Sequence, residues 1–232
     1  MTVVLISGVN RGIGLGLFKQ YAAREGYTVI GTILPLAEKI PEIPIGKGSK
    51  AIIVNMDVTD VQSPKRAIEE LETKYGINQI DIAISNAGIL TLKAMSRIEN
   101  IDPQEFEDHW RVNVKGYLLF FQASLELLKS GSKFIFISSS AAILDRIPDK
   151  QNVCYGITKI GATYLARYAH FEHPDLIIFP ICPGWVATGM GNLTAQHRGW
   201  DKAPVTVEQS ASGLIKVIDE ATRETHSGKP WN

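Results

Sequence analysis

Tyr155 and Lys159 stand four residues apart, and three consecutive serines, Ser138, Ser139 and Ser140, precede them. Four residues is about one helical turn, so a helix starting near Asn152 puts the phenol and the ammonium on one face. The apolar run Phe134 to Ile137 ends at the serines. A hydroxyl at that strand end could lie opposite the phenol. Such a trio can hydrogen-bond one carbonyl oxygen and deliver a proton to it.

Proton delivery needs a second reactant held beside it, and the N-terminus supplies a place for one. Thr2 to Ile6 is a short β-rich run, the form of a strand buried on both faces. It runs into Ser7-Gly8-Val9-Asn10-Arg11-Gly12-Ile13-Gly14, after which Leu15, Leu17, Phe18, Tyr21 and Ala22 recur at helical spacing up to Gly26. Strand, glycine-rich turn and helix form a dinucleotide-binding opening. The glycines let the backbone approach a pyrophosphate, and the helix N-terminus presents free N–H groups to it. The spacing is GxxxGxG rather than GxGxxG. Its place between a first strand and a first helix favours a cofactor over a ligand-free tight turn. The second strand, Tyr27 to Ile33, ends in Gly31-Thr32-Ile33-Leu34, with no acid to take a ribose 2′-hydroxyl. Arg11 could pair with a 2′-phosphate. Both features point to NADPH (NADP+) rather than NADH.

The remaining elements alternate. Residues 34–50, rich in Pro and Gly, read as loop. Ala51 to Met56 is a third strand ending at Asp57-Val58, where Asp57 would accept from an adenine amino group or, with Thr59, cap the next helix. That helix covers about 61–75. The fourth strand, Ile80 to Ile84, leads into Ser85-Asn86-Ala87-Gly88, small enough for a cofactor ribose to approach. A long helix follows from Pro103 to about Lys129, with Phe106, Trp110, Val114, Leu118, Phe121 and Leu125 on its apolar stripe. Asn113 lies inside it, where Asn is a poor helix former. Lys133 to Ile137 is the fifth strand, Asn152 to Phe171 the helix of Tyr155, and Leu176 to Ile181 the sixth strand. Residues 189–204, glycine-rich and polar, read as a mobile substrate loop, and an amphipathic helix covers about 207–222. This order predicts an α/β fold: a Rossmann-type doubly wound parallel sheet of six or seven strands, helices on both faces, one domain over 1–232. Ligands then lie at the C-terminal strand edge.

Composition narrows the function. The chain has 232 residues, 45% hydrophobic and 21% charged, with zero formal net charge. That balance carries no electrostatic footprint for nucleic acid or an anionic membrane. No apolar run approaches the roughly 18–20 residues of a membrane span, and the N-terminus lacks the basic leader of a signal peptide. The two cysteines, Cys154 and Cys182, make neither a disulfide framework nor a metal cluster, and the five histidines show no metal-ligand spacing. We expect a cytoplasmic protein with reduced thiols and no metal.

Taken together, the motifs resemble those of the short-chain dehydrogenase/reductase family along nearly the whole chain. Ser7 to Gly14 is similar to its TGxxxGIG, with Ser for Thr. Asp57-Val58 resembles its adenine-contact pair, and Ser85-Asn86-Ala87-Gly88 its NNAG. Asn113, Ser139, Tyr155 and Lys159 match its catalytic tetrad. Pro183-Gly184-Trp185-Val186-Ala187-Thr188 is similar to the PGxVxT segment that contacts the nicotinamide. Within the family, NRGIGLGL and FIFISSSA resemble fungal ketoreductases related to norsolorinic acid reductase and sniffer-like carbonyl reductases. Two departures stand out. Tyr155 follows Ser139 by 16 positions, more than the common spacing. Ser227-Gly228-Lys229-Pro230-Trp231-Asn232 also leaves little room for a seventh strand.

The resemblance implies a mechanism and a site. NADPH would deliver hydride to a carbonyl carbon while Tyr155 protonates the oxygen. Lys159 would lower the phenol's pKa and bind the nicotinamide ribose. Ser139, chosen over Ser138 and Ser140 because the family's serine is the second after the strand, would polarise the substrate. Asn113 would hold a water that relays protons through Lys159. Gly8, Asn10, Arg11, Gly12, Ile13, Gly14, Asp57, Val58, Asn86, Ala87, Gly88, Tyr155, Lys159, Pro183, Gly184, Val186 and Thr188 would bind the cofactor. The expected activity is reduction of a ketone or aldehyde of a small apolar or aromatic molecule in secondary metabolism, by a homodimer or homotetramer. The alternatives are an imine or iminium reductase and a non-catalytic dinucleotide sensor. Residues 89–100, 142–153 and 189–204 would wall the substrate, with Trp185, Met190 and Trp200 as its apolar contacts.

Overall fold

The computed structural model describes residues 1–38, 40–145 and 152–231. Six β-rich runs form strands β1 (Thr2–Ser7), β2 (Tyr27–Ile33), β3 (Lys50–Asn55), β4 (Ile80–Ser85), β5 (Leu128–Ile137) and β6 (Ile177–Ile181). All pairings are parallel and the spatial order is β3-β2-β1-β4-β5-β6. The order reverses between β1 and β4, which opens a crevice beyond their C-terminal ends. The predicted doubly wound sheet is therefore present.

Helices cover both faces. On one, α1 (Gly12–Ala22) and α7 (Val207–Glu220) bury Leu17, Phe18, Leu214 and Ile218 against β1, β4 and β5. Gly16 permits their close packing, since a Cβ there would meet Val207 Cγ1 at 2.7 Å. On the other, α2 (Ser63–Tyr75), α4 (Gly116–Ser124) and α5 (Val153–Glu172) bury Leu71, Tyr117, Phe120 and Ala162. A capping box at Thr206 and Gln209 starts α7.

Three expectations are corrected. The long helix is not continuous: α3 (Pro103–Trp110) passes into a π-helical turn, Arg111–Lys115, before α4. The buried face runs one residue ahead of the expected stripe on both sides of the wide turn: Trp110 and Leu118 are exposed, while His109, Asn113 and Tyr117 are buried. Second, residues 189–204 are not one loop, because Gly189–His197 is a helix, α6. Thr188 caps it by accepting from Gly191 N–H, and a Cβ on Gly191 would lie 1.8 Å from Val186 O. The glycine that suggested a loop is the one this packing requires. Third, β5 starts at Leu128, which pairs with Ile80 ahead of an irregular register. The C-terminus agrees with expectation: among the described residues Trp231 alone takes the place of a seventh strand. It bridges Ile181 in parallel, donates to Pro180 O at 3.0 Å and accepts from Cys182 N–H at 2.7 Å.

Candidate active site

The glycine loop is tied directly to the turn after β4. Ser7 Oγ accepts from the N–H groups of Asn86 (2.9 Å) and Ala87 (3.0 Å), and Asn86 Nδ2 donates to Ser7 O (2.9 Å) and Gly8 O (3.1 Å). A hydroxyl is all that this position needs, which explains why Ser serves where Thr is usual. Gly8 has φ +74° and lies against Ala87, and a Cβ on Gly14 would sit 2.2 Å from Gly8 O. Arg11, exposed, occupies the N-cap of α1 without a side-chain cap, and no acid stands in the first turn. The first N–H groups of α1 thus carry neither a side-chain cap nor a neighbouring acid, the chemistry of a pyrophosphate site. Val58 is buried against Gly116, and Asp57 Oδ1 accepts from Thr59 N–H and Oγ1–H, both at 2.8 Å. Asp57 therefore braces its own turn and does not cap α2, which starts at Ser63.

Three side chains at helical spacing hold the chain beyond Gly88. Glu105 accepts from Thr91 Oγ1–H at 2.6 Å. His109, fully buried, has Nδ1 against Glu105 O at 2.6 Å and Nε2 accepting from Thr91 N–H at 3.4 Å. Asn113 Oδ1 accepts from Ile89 N–H at 2.8 Å, and its Nδ2 donates to Ile89 O at 3.0 Å and Thr158 Oγ1 at 3.1 Å. Only one lone pair of Oδ1 is left for the water that the resemblance implied.

Geometry separates the three serines. Ser138 Oγ is paired with Thr163 Oγ1 at 2.7 Å, behind the strand end. Ser139 Oγ accepts from Ala141 N–H at 3.2 Å and lines the same cleft as the Tyr155 phenol. Ser140 opens a short 3₁₀ turn through Ala142. Burial pushes the Tyr155 phenol well above its ordinary pKa, the Cys182 thiol adds to this, and Ser139 opposes it. Lys159, 3% exposed, donates from Nζ to Ile137 O (2.8 Å) and Tyr117 Oη (3.0 Å), and lies 5.4 Å from the Tyr155 ring centroid. Burial lowers its pKa to about 7, with Cys182 acting the other way.

A cleft of about 550 Å³ opens over this centre. Ile13, Ser139, Tyr155, Pro183, Gly184, Val186 and Thr188 line it, which brings the glycine loop, the proton-delivery group and the predicted nicotinamide segment to one space. Trp185 and Met190 line it as expected, whereas Trp200 is exposed and packs behind Trp185 at 5.5 Å between centroids. Of the expected wall 142–153, residues 146–151 lie outside the described residues. Leu90, Ile143, Thr194 and Arg198 line the cleft from the three expected wall segments, and Cys182, read from sequence only as a reduced thiol, lines it too. Tyr117 was not singled out from sequence, and its signal was its position four residues after Asn113. Among the described residues no group of three metal-ligating side chains occurs, and no helix is long and apolar enough to cross a membrane.

Comparison with known proteins agrees with this layout. A family model described as short chain dehydrogenase matches residues 2–199. The chain is 34% identical over 238 residues to a norsolorinic acid ketoreductase of Dothistroma septosporum, covering 98% of this chain and 88% of that protein. It is 37% identical over 243 residues to a short-chain dehydrogenase of Neurospora crassa, covering 100% and 94%. In fold it is similar to the NADPH-bound carbonyl reductase of chicken fatty liver, with TM-score 0.84, 24% identity and coverage of 99% and 91%. It is likewise similar to the carbonyl reductase Sniffer of Drosophila melanogaster, with TM-score 0.83, 20% identity and coverage of 99% and 96%.

Proposed function

The chain belongs to the short-chain dehydrogenase/reductase family of nicotinamide-dependent oxidoreductases, and from that premise we propose that it uses NADPH to reduce a ketone or aldehyde of a small, apolar or aromatic molecule. One observation carries this: Ser139 and Tyr155, with Lys159 Nζ 5.4 Å from the phenol ring, face one cleft that Ile13 of the glycine loop also lines. Relatives named for norsolorinic acid reduction support a place among secondary-metabolite ketoreductases.

When bound, the dinucleotide supplies hydride. Gly8, Asn10, Arg11, Gly12, Ile13 and Gly14 would hold its phosphates, Asp57 and Val58 its adenine end, Asn86, Ala87 and Gly88 its ribose side, and Pro183 to Thr188 the nicotinamide. The open N-terminus of α1 and the close approach at Gly14 fit that group. Exposed Arg11 and a β2 end without an acid support the 2′-phosphate of NADPH.

Tyr155 stays protonated at neutral pH, the form a general acid needs. Ser139 donates to the substrate oxygen and stabilises the charge that develops there. As the Tyr155 proton leaves, a protonated Lys159 beside the ring favours the phenolate. Asn113 keeps Ile89, and with it the Leu90 wall, in place. Exposed Tyr164, Tyr168 and Phe171 on one face of α5 support self-association, and the expected setting is a cytoplasmic homodimer or homotetramer.

Tyr155→Phe tests the assignment. Turnover of a carbonyl panel, followed by NADPH oxidation, should fall at least about 100-fold, while NADPH still binds by fluorescence titration. Retained turnover would overturn it. The same proton donor suits an imine nitrogen, so the panel includes cyclic imines; turnover confined to those would assign an imine reductase. Tighter binding of NADH than NADPH would reverse the cofactor assignment.

A further inference from the structure

We propose that Tyr117 is a positioning residue for Lys159, its buried hydroxyl holding the lysine ammonium beneath Tyr155. The inference deepens the reductase assignment and rests on it for its catalytic consequence, though the contact itself does not.

Tyr117 is 1% exposed and its hydroxyl lies in the interior, where a polar group must be paired. It is paired on both sides. Tyr117 Oη donates to Ile137 O at 2.9 Å and accepts from Lys159 Nζ at 3.0 Å. Ile137 O also accepts directly from Lys159 at 2.8 Å, so lysine, phenol and strand-end carbonyl close a triangle. The ammonium lies 4.9 Å from the Tyr117 ring centroid as well. A buried cation needs such compensation, and none of the ion pairs among the described residues includes Lys159. Two neutral oxygens hold its charge, and one is the Tyr117 hydroxyl.

The route by which Tyr117 reaches this place is local. An uninterrupted helix would continue the stripe Phe106, Trp110, Val114 to Leu118. The buried face runs one residue ahead of that stripe, through His109, Asn113 and Tyr117 on both sides of the π-helical turn Arg111–Lys115, so Leu118 faces out and Tyr117 faces Lys159. Asn113 and Tyr117 then fall on one face, Asn113 bracing Ile89 and Tyr117 bracing Lys159. Wide turns of this kind are frequent at functional sites.

Among the described residues, three titratable groups face Lys159: Tyr117 from α4, Tyr155 from its own helix, and Cys182 beyond β6. Burial keeps Tyr117 neutral, so it acts on the lysine as a hydrogen-bond acceptor. An acceptor favours the ammonium over the amine. Removing it should make Lys159 lose its proton at lower pH.

Tyr117→Phe removes only the hydroxyl and keeps the ring beside Phe136, at 5.9 Å between centroids. The first measurement is the titration of Lys159 Nζ in cofactor-free protein by ¹⁵N NMR, with the signal assigned by its loss in Lys159→Met. The midpoint should fall by about one pH unit, the worth of one such hydrogen bond. The second is the pH profile of carbonyl reduction, whose basic limb should move down by the same amount. A merely structural role would lower kcat alike at every pH and leave the limb in place. An unmoved or raised midpoint overturns the proposal. If the Phe variant does not fold, 3-fluorotyrosine at position 117 keeps the shape with a weaker acceptor; its midpoint should shift the same way by a smaller step, and no shift again overturns it. Failure of the reductase assignment would appear separately, as absent wild-type turnover or an active Tyr155→Phe, while the NMR titration still decides the role of Tyr117.

Discussion

The two sides of the cleft are built from different materials. On the glycine-loop side the surface is mostly backbone. Ser7 and Asn86 cross-link two turns through four hydrogen bonds, and Gly14 lets the turns touch. On the opposite side the surface is mostly side chain: Trp185, Met190, Leu90 and Ile143, carried on segments placed by contacts distant in sequence. A backbone surface tolerates few residue types and can hold a ligand common to many enzymes. A side-chain surface can change wall by wall while the strands beneath stay the same. Lys159 lies at the seam between them.

The seam gives the largest expected effect. Lys159→Met should abolish turnover and stabilise the fold. The folded lysine loses its proton near pH 7, the unfolded one near pH 10.4. Between those values the unfolded chain holds more protons, so wild-type stability rises with pH across that window. At pH 7 and below, the fold carries the cost of a buried ammonium. The gain in Lys159→Met should therefore be on the order of 3–4 kcal/mol at pH 7 and fade toward pH 10. Denaturant unfolding at three pH values checks it, and a destabilised variant would mean that the lysine's hydrogen bonds outweigh its burial.

On the backbone side, Gly14→Ala drives a methyl group into Gly8 O and Asn86 Nδ2, at 2.2 and 2.5 Å. Neither can yield without opening the cross-link. The cost should be about 3 kcal/mol, read as a rise of at least about 100-fold in the dinucleotide Kd. Unchanged affinity would show that this side is more pliant than its hydrogen bonds suggest. Arg11→Ala is milder because the residue is exposed. NADPH should bind about 10-fold more weakly, with NADH unaffected. Equal losses for both would shift Arg11 from the 2′-phosphate to the pyrophosphate.

The same contrast explains which parts were legible in the sequence. The strands and the glycine loop depend on local pattern and on residue types that few alternatives can replace, so Gly14 and Asn86 could be placed by inspection. The choice among Ser138, Ser139 and Ser140 needed the family's spacing, and in three dimensions Thr163 occupies the first serine. Helix α6 was illegible because Gly189 and Gly191 are locally unfavourable in a helix, a cost offset by the contacts of Trp185 and Val186. Tyr117 was passed over because the apolar stripe was read through Trp110 and Leu118, whereas the buried face runs one residue earlier, through the polar His109 and Asn113.

The smallest effect tests whether the two sides are independent. Trp185 Nε1 donates to Gly191 O at 3.1 Å and to Thr194 Oγ1 at 2.9 Å, fastening the nicotinamide segment to α6, while Arg198 lies over the ring. Trp185→Phe keeps an aromatic wall and loses both bonds, at a cost of about 1 kcal/mol. If the sides are separate, the NADPH Kd should stay within about twofold, a change below the ~1.4 kcal/mol that a tenfold shift requires. Relative kcat/KM across a panel of aromatic ketones should change, because α6 carries Met190 and Thr194 into the cleft. A parallel loss of NADPH affinity would break the division, since Thr188 both caps α6 and lies 3.3 Å from where a Cβ of Gly12 would stand. The glycine loop would then depend on the substrate wall, and the two surfaces would act as one unit.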